Sequence, residues 1–142
     1  MKKLAIISIG LFAMACTSNE NNNVEDAKIE YAEYIDNPTT VKFEEYGYDF
    51  GEVVDGDMVH HTFKFTNTGD QNLVLIDVKG SCGCTVPEDW PKHPIAPGET
   101  GEIKVVFNSK NRVGNALKNV RVEANTDPTV TTLTISGVVK EK

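Results

Sequence analysis

From Pro38 onward the chain alternates apolar and polar residues with a period of two, the spacing of strands that bury one face and wet the other. In Val59-His60-His61-Thr62-Phe63-Lys64-Phe65 one face carries Val59, His61, Phe63 and Phe65, and the other carries His60, Thr62 and Lys64. Residues 73–79 send Val74, Ile76 and Val78 to one side, and residues 102–107 do the same with Ile103, Val105 and Phe107. Val120, Val122 and Ala124 alternate with Asn119, Arg121 and Glu123; later, Leu133, Ile135 and Val139 face away from Thr132, Thr134 and Ser136. Val41-Lys42-Phe43 and residues 49–53 add two shorter runs. Turn chemistry falls where the runs stop, at Asp55-Gly56, Thr68-Gly69-Asp70, Pro97-Gly98-Glu99 and residues 125–128. Gly69 is expected to supply a positive φ to a tight turn, and Pro97-Gly98 suits a type II turn, with proline at the first corner and glycine at the second. The pattern predicts an all-β sandwich of about seven antiparallel strands, since turns recur about every 8–12 residues and no long amphipathic helix interrupts them.

The first residues follow a different logic. Lys2 and Lys3 precede an apolar run from Leu4 to Ala15, broken only by Ser8 and Gly10, which ends at Cys16. That is the layout of a secretory signal over residues 1–15, too short for a permanent span of roughly 20 residues. Ala15-Cys16 resembles a bacterial lipobox, with Ala13 where Leu is usual, and implies that Cys16 is acylated and becomes the new first residue. Ordinary cleavage near Ala15 is the alternative; it leaves an exposed free thiol in an oxidising compartment. Residues 16–37 are expected to form the lipidated N-terminus and a tether, because Thr17 to Glu25, with three consecutive asparagines from Asn21, can bury little apolar surface. Residues 27–37, acidic and carrying Tyr31 and Tyr34, suit either a short helix or more tether. Residues 38–142 remain for one domain.

Charge narrows the partners. Removing residues 1–15 takes away Lys2 and Lys3 and no acid, moving the formal charge from −7 to −9. Nucleic acid and anionic lipid surfaces are then poor partners. The expected contacts are the bilayer, through N-terminal acyl chains, and an envelope protein or glycan. The expected location is the cell envelope, as a membrane-anchored lipoprotein, with the outer membrane favoured.

Four blocks in order carry a family resemblance: Tyr48-Asp49-Phe50-Gly51-Glu52-Val53, Phe63-Lys64-Phe65-Thr66-Asn67-Thr68-Gly69, Gly80-Ser81-Cys82-Gly83-Cys84-Thr85 and Ile95-Ala96-Pro97-Gly98-Glu99. Over roughly residues 41–139 the chain resembles the bacterial domain of unknown function family fifteen seventy-three, itself similar to hydin-type, or ASH, immunoglobulin-like domains. The resemblance implies an immunoglobulin-like sandwich, a lipoprotein or envelope setting and a recurring Cys-Gly-Cys loop. It implies no activity.

Cys82-Gly83-Cys84 is the constellation with most chemical potential, and three readings stand for it. The cysteines close a local disulfide, which Gly83 permits if the chain bends and which invites exchange with other thiols. Alternatively, Cys82 and Cys84 hold a soft metal ion with a histidine such as His93, although a single Cys-x-Cys departs from the usual zinc spacings. In the third reading they are small packing residues. His60 and His61 are adjacent on a strand, point to opposite faces and cannot chelate together. Trp90 lies in a proline-rich loop over residues 86–94, where it serves either as an aromatic anchor for a partner or as a lid on the sandwich. No phosphate cradle, nucleophile elbow or His-Glu-x-x-His occurs. The expected function is therefore a non-catalytic binding or structural module needing no cofactor, with a thiol-redox or copper-handling lipoprotein as the alternative.

Overall fold

The computed structural model describes residues 32–142, so the expected leader, Cys16 and the tether as far as residue 31 lie outside the described residues. Eight strands follow one another: β1 (Val41–Phe43), β2 (Gly47–Val54), β3 (Met58–Asn67), β4 (Leu75–Gly80), β5 (Thr85–Asp89), β6 (Thr100–Asn108), β7 (Gly114–Ala124) and β8 (Val130–Lys140). They form two four-stranded sheets, ordered β1-β3-β6-β5 and β2-β8-β7-β4. Only the β5–β6 and β7–β8 connections stay within a sheet; every other connection crosses to the opposite one.

The alternations place the core as expected. Phe63 and Phe65 of β3, Ile103 and Val105 of β6, Val120 and Val122 of β7, and Leu133 and Ile135 of β8 interlock between the sheets. Each fully buried side chain of this size contributes about 1.5–3 kcal/mol relative to exposure. A second cluster, formed by Val59, Cys84, Phe107, Ala116 and Val139, fills the other end of the sandwich.

Three expectations change. The strand count is eight, because β5 occupies part of the segment expected to be a proline-stiffened loop. Proline is tolerated at Pro87 because β5 is an edge strand, where a missing N–H need not break a ladder. The strands are not all antiparallel either: β2 runs parallel to β8, with most of the domain between them in sequence, the long separation that a parallel pair needs. In and just before β4 the buried residues are Leu73, Val74, Leu75 and Val78, so Val74 and Val78 are buried as expected while Ile76 is only half-buried. A register shift between Leu75 and Asp77 inserts an extra residue and moves the alternation to the other phase.

Where the chain crosses between sheets, buried polar side chains occupy the backbone groups that strands leave unpaired. Asn67 donates through Nδ2 to the carbonyls of Gln71 (2.7 Å) and Ile95 (2.9 Å). Its Oδ1 accepts from Thr39 Oγ1 (3.0 Å) and the Gly69 amide (3.1 Å). Asn125 accepts from the Val74 amide at 2.7 Å and donates to the carbonyls of Asn72, Tyr34 and Asn37. Residues 32–35 form a helical turn, and these bonds join it to the sandwich, so the packed unit reaches upstream of Pro38. At the opposite end, Ser109 donates to the Val54 carbonyl and accepts from the Gly56 amide, each at 3.0 Å. Among the described residues no buried side-chain nitrogen or oxygen lacks a partner.

The two turn glycines diverge. Gly98 has φ +81°, and the Glu99 amide bonds to the Ala96 carbonyl at 3.0 Å, as a type II turn requires. Gly69 does not have the expected positive φ; it is required because a Cβ there would collide with Thr39 Oγ1 and the Thr40 amide.

Asn67→Ala should lower stability by about 3 kcal/mol, since it strands several buried polar groups at about 1–3 kcal/mol each. Asn115→Ala, on an exposed strand position, should change stability by less than about 0.5 kcal/mol. Urea midpoints at constant m-value measure both.

Candidate functional site

The Cys-Gly-Cys loop is the connection by which the chain leaves β4 in one sheet and enters β5 in the other. Cys82 and Cys84 are joined in a disulfide, with Cα atoms 5.2 Å apart, inside the range that such a bond tolerates. Cys84 is 3% exposed and belongs to the second core cluster, while Cys82 is half-buried against the same cluster. The disulfide and packing readings therefore coexist in one feature. The loop is also pinned by its backbone: the Ser81 amide donates to the Asn119 carbonyl (2.8 Å), Thr85 to Cys82 (3.1 Å) and Asn108 to Cys84 (2.8 Å).

Trp90 follows the last residue of β5. Register places Thr85 opposite Phe107 and Asp89 opposite Lys104, so the strand runs away from the disulfide end. Its length corresponds to about 16 Å of extended chain. The tryptophan is half-buried, packs on the main core and carries the Lys92 ammonium over its ring, a cation–π arrangement. Partial desolvation pulls the exposed Lys92 ammonium below the usual lysine range, with Asp89 and Asp77 acting in the opposite direction. A groove of about 450 Å³ opens here, lined by Asp89, Trp90, Lys92, His93, Glu102 and Lys104 among others.

The structure thus brings Trp90 and His93 together but separates both from the cysteines. Cys82, Cys84 and His93, weighed as a metal set, do not meet, and the two sulfurs are bonded to each other. Among the described residues no group of three or more His, Cys, Asp or Glu side chains is arranged for a metal ion. His60 is exposed, 4.0 Å from the Glu88 carboxylate. His61 is half-buried, 2.8 Å from Glu45 Oε1 and stacked on Tyr48 with ring centroids 3.7 Å apart. Lys92 is the groove residue that the sequence reading passed over. Its position two residues after Trp90 was the available signal, and the loop geometry decided whether the ammonium would fold back onto the ring.

Across residues 41–139 the sequence matches the profile of a family described as protein of unknown function (DUF1573). The chain belongs to this family. No curated protein matches it. Among solved structures, the DUF1573 domain resembles a protein of unknown function from Porphyromonas gingivalis W83, with TM-score 0.61, 12% identity, and coverage of 71% of this chain and 47% of that one. It also resembles the ASH/PapD-like domain 7 of human CEP192, with TM-score 0.54, 15% identity, and coverage of 74% and 88%. The secreted serine protease VesC from Vibrio cholerae gives TM-score 0.55 and 11% identity over 77% of this chain and 24% of that one. The chain spans about half of the Porphyromonas protein and about a quarter of VesC, and at these identities the likeness concerns the fold alone. The two-sheet architecture and the likeness to the ASH/PapD-like domain show that the DUF1573 domain has an immunoglobulin-like fold.

Trp90 is the single tryptophan, so its fluorescence reports on the groove directly. Lys92→Ala should uncover the ring and raise its quenching by acrylamide, while the stability measured by urea unfolding changes by less than about 0.5 kcal/mol because Lys92 is a surface residue.

Proposed function

We propose that this chain is a non-catalytic immunoglobulin-like binding module, anchored to the bacterial envelope through an acylated Cys16, that engages an envelope protein or glycan at the Trp90 groove. The carrying observation is the mounting of Trp90. It sits between an edge strand and Pro91, with its ring packed on the core and its surroundings open as a groove of mixed charge. A rigid aromatic of this kind presents large area and an N–H donor at small entropic cost, the combination enriched where binding energy concentrates. Loops held by a stiff sandwich are also the usual place for such contacts. Support for the anchor comes from residues 1–16, whose charge, apolar run and Ala15-Cys16 junction have the form of a lipoprotein signal.

Cys16→Ser should move the protein from the membrane fraction to the soluble fraction and remove the acyl mass from its mature N-terminus. Retention on the membrane without acylation would remove the anchor from the proposal.

For the groove, the purified protein is titrated against a fixed panel of peptidoglycan and lipopolysaccharide fragments and of individually purified envelope proteins, following Trp90 fluorescence. Trp90→Ala, assayed by calorimetry, should weaken the interaction by about 30-fold, the equivalent of about 2 kcal/mol. Unchanged affinity in that variant, or turnover of a panel member by the wild type, would count against a binding role at this groove.

A further inference from the structure

The connection between β4 and β5 has properties that a purely structural staple does not need. The two cysteines are two residues apart, so their bond closes a minimal ring and restricts little of the unfolded chain. The loop's shape is held independently by the Ser81–Asn119, Thr85–Cys82 and Asn108–Cys84 backbone hydrogen bonds, and the Asn119 amide donates to Ser81 Oγ at 3.1 Å. Opening the sulfur–sulfur bond therefore leaves both cysteines in place and close to each other.

The two sulfurs also differ. Cys84 is buried in the second core cluster, whereas Cys82 is half-exposed. Thr85, itself 2% exposed, places its hydroxyl oxygen 3.9 Å from each sulfur, within hydrogen-bonding reach of sulfur. A groove of about 290 Å³ lined by Met58, Gly83, Cys84, Val86 and Val106 among others opens on the Cys84 side of the ring, so an incoming group reaches Cys82 from its own partly exposed side instead.

We infer that Cys82–Cys84 is a reversible thiol–disulfide exchange site whose attacked sulfur is Cys82 and whose substrates are thiol compounds. This site is independent of the Trp90 groove, which lies beyond the other end of β5. A thiolate attacks Cys82 Sγ, forming a mixed disulfide as the Cys82–Cys84 bond breaks; the electron pair leaves on Cys84 Sγ, which takes a proton from solvent, with the Thr85 hydroxyl positioned to donate to it meanwhile. When the substrate is a dithiol, its second thiolate then attacks its own sulfur in the mixed disulfide and releases Cys82 as a thiolate. The dithiol loses two electrons and closes to a disulfide, and the protein gains those electrons as two thiols.

The test uses the full chain carrying Cys16→Ser, so that only the pair can react. The folded protein is incubated with glutathione without denaturant, quenched in acid and mapped by peptide mass spectrometry, while dithiothreitol reduction is followed by alkylation and circular dichroism. The expected result is a glutathione adduct on Cys82 at least about tenfold in excess over Cys84, together with reduction by dithiothreitol that leaves the β spectrum intact and reverses once the reductant is exchanged for oxidised glutathione. Cys84→Ser, treated with oxidised glutathione, should hold the Cys82 adduct stably, because no second protein thiol is left to displace it. Should that variant fail to fold, the wild-type adduct ratio still decides. Adducts that form only in urea, adducts mainly on Cys84, or loss of the fold on reduction would overturn the inference.

Discussion

The structure depends on one constraint: a chain that repeatedly crosses between two sheets must carry its backbone over the ends of an apolar core without leaving peptide groups unpaired. Strands satisfy their own amides and carbonyls, but crossings do not, and an orphaned buried group costs about 1–3 kcal/mol. Asn67, Asn125 and Ser109 answer this by acting as surrogate backbone. Each asparagine presents a donor and an acceptor to segments arriving from different parts of the chain, so the loops are placed by specific geometry as well as by hydrophobic contact. Thr39 and Gly69 belong to the same device, since the Asn67 network leaves no room for a side chain at residue 69.

The same constraint distributes the chemistry. The β4–β5 crossing is short and is closed by a sulfur bond and backbone hydrogen bonds; its cysteines pack into the smaller core cluster. The β5–β6 connection stays within one sheet, needs no such closure, and has length enough to carry Trp90, Lys92 and His93. One end of β5 is therefore tight and carries the disulfide, while the other is open and aromatic. A module of this form separates the aromatic groove from the disulfide loop on a single edge strand. Membership of the DUF1573 family and the ASH/PapD-like likeness place these features on an immunoglobulin-like scaffold and assign no task to them.

Much of the fold was legible because burial writes itself into sequence with a period of two. The faces of β3, β6, β7 and β8 follow directly from Phe63, Ile103, Val120 and Leu133 and their alternating neighbours. The turn at Pro97-Gly98 was equally readable, because proline followed by glycine matches the two corners of a type II turn. Reading failed where a local rule was overridden by position. Pro87 argued against a strand, yet an edge accommodates it. The run through Ile76 argued for an unbroken alternation, yet a bulge shifted its phase.

By itself the sequence determined the two-layer architecture, the core residues and the identity of the reactive side chains, since hydrophobic periodicity, turn residues and side-chain chemistry are local properties. It left undecided which of those side chains meet. Whether Cys82 bonds to Cys84, whether His93 joins the cysteines or Trp90, and whether Lys92 caps an indole all depend on distances set by β5, a strand whose existence rests on pairing with β6. Only the tertiary structure decided these points, because strand pairing brings together residues that no sequence spacing places side by side.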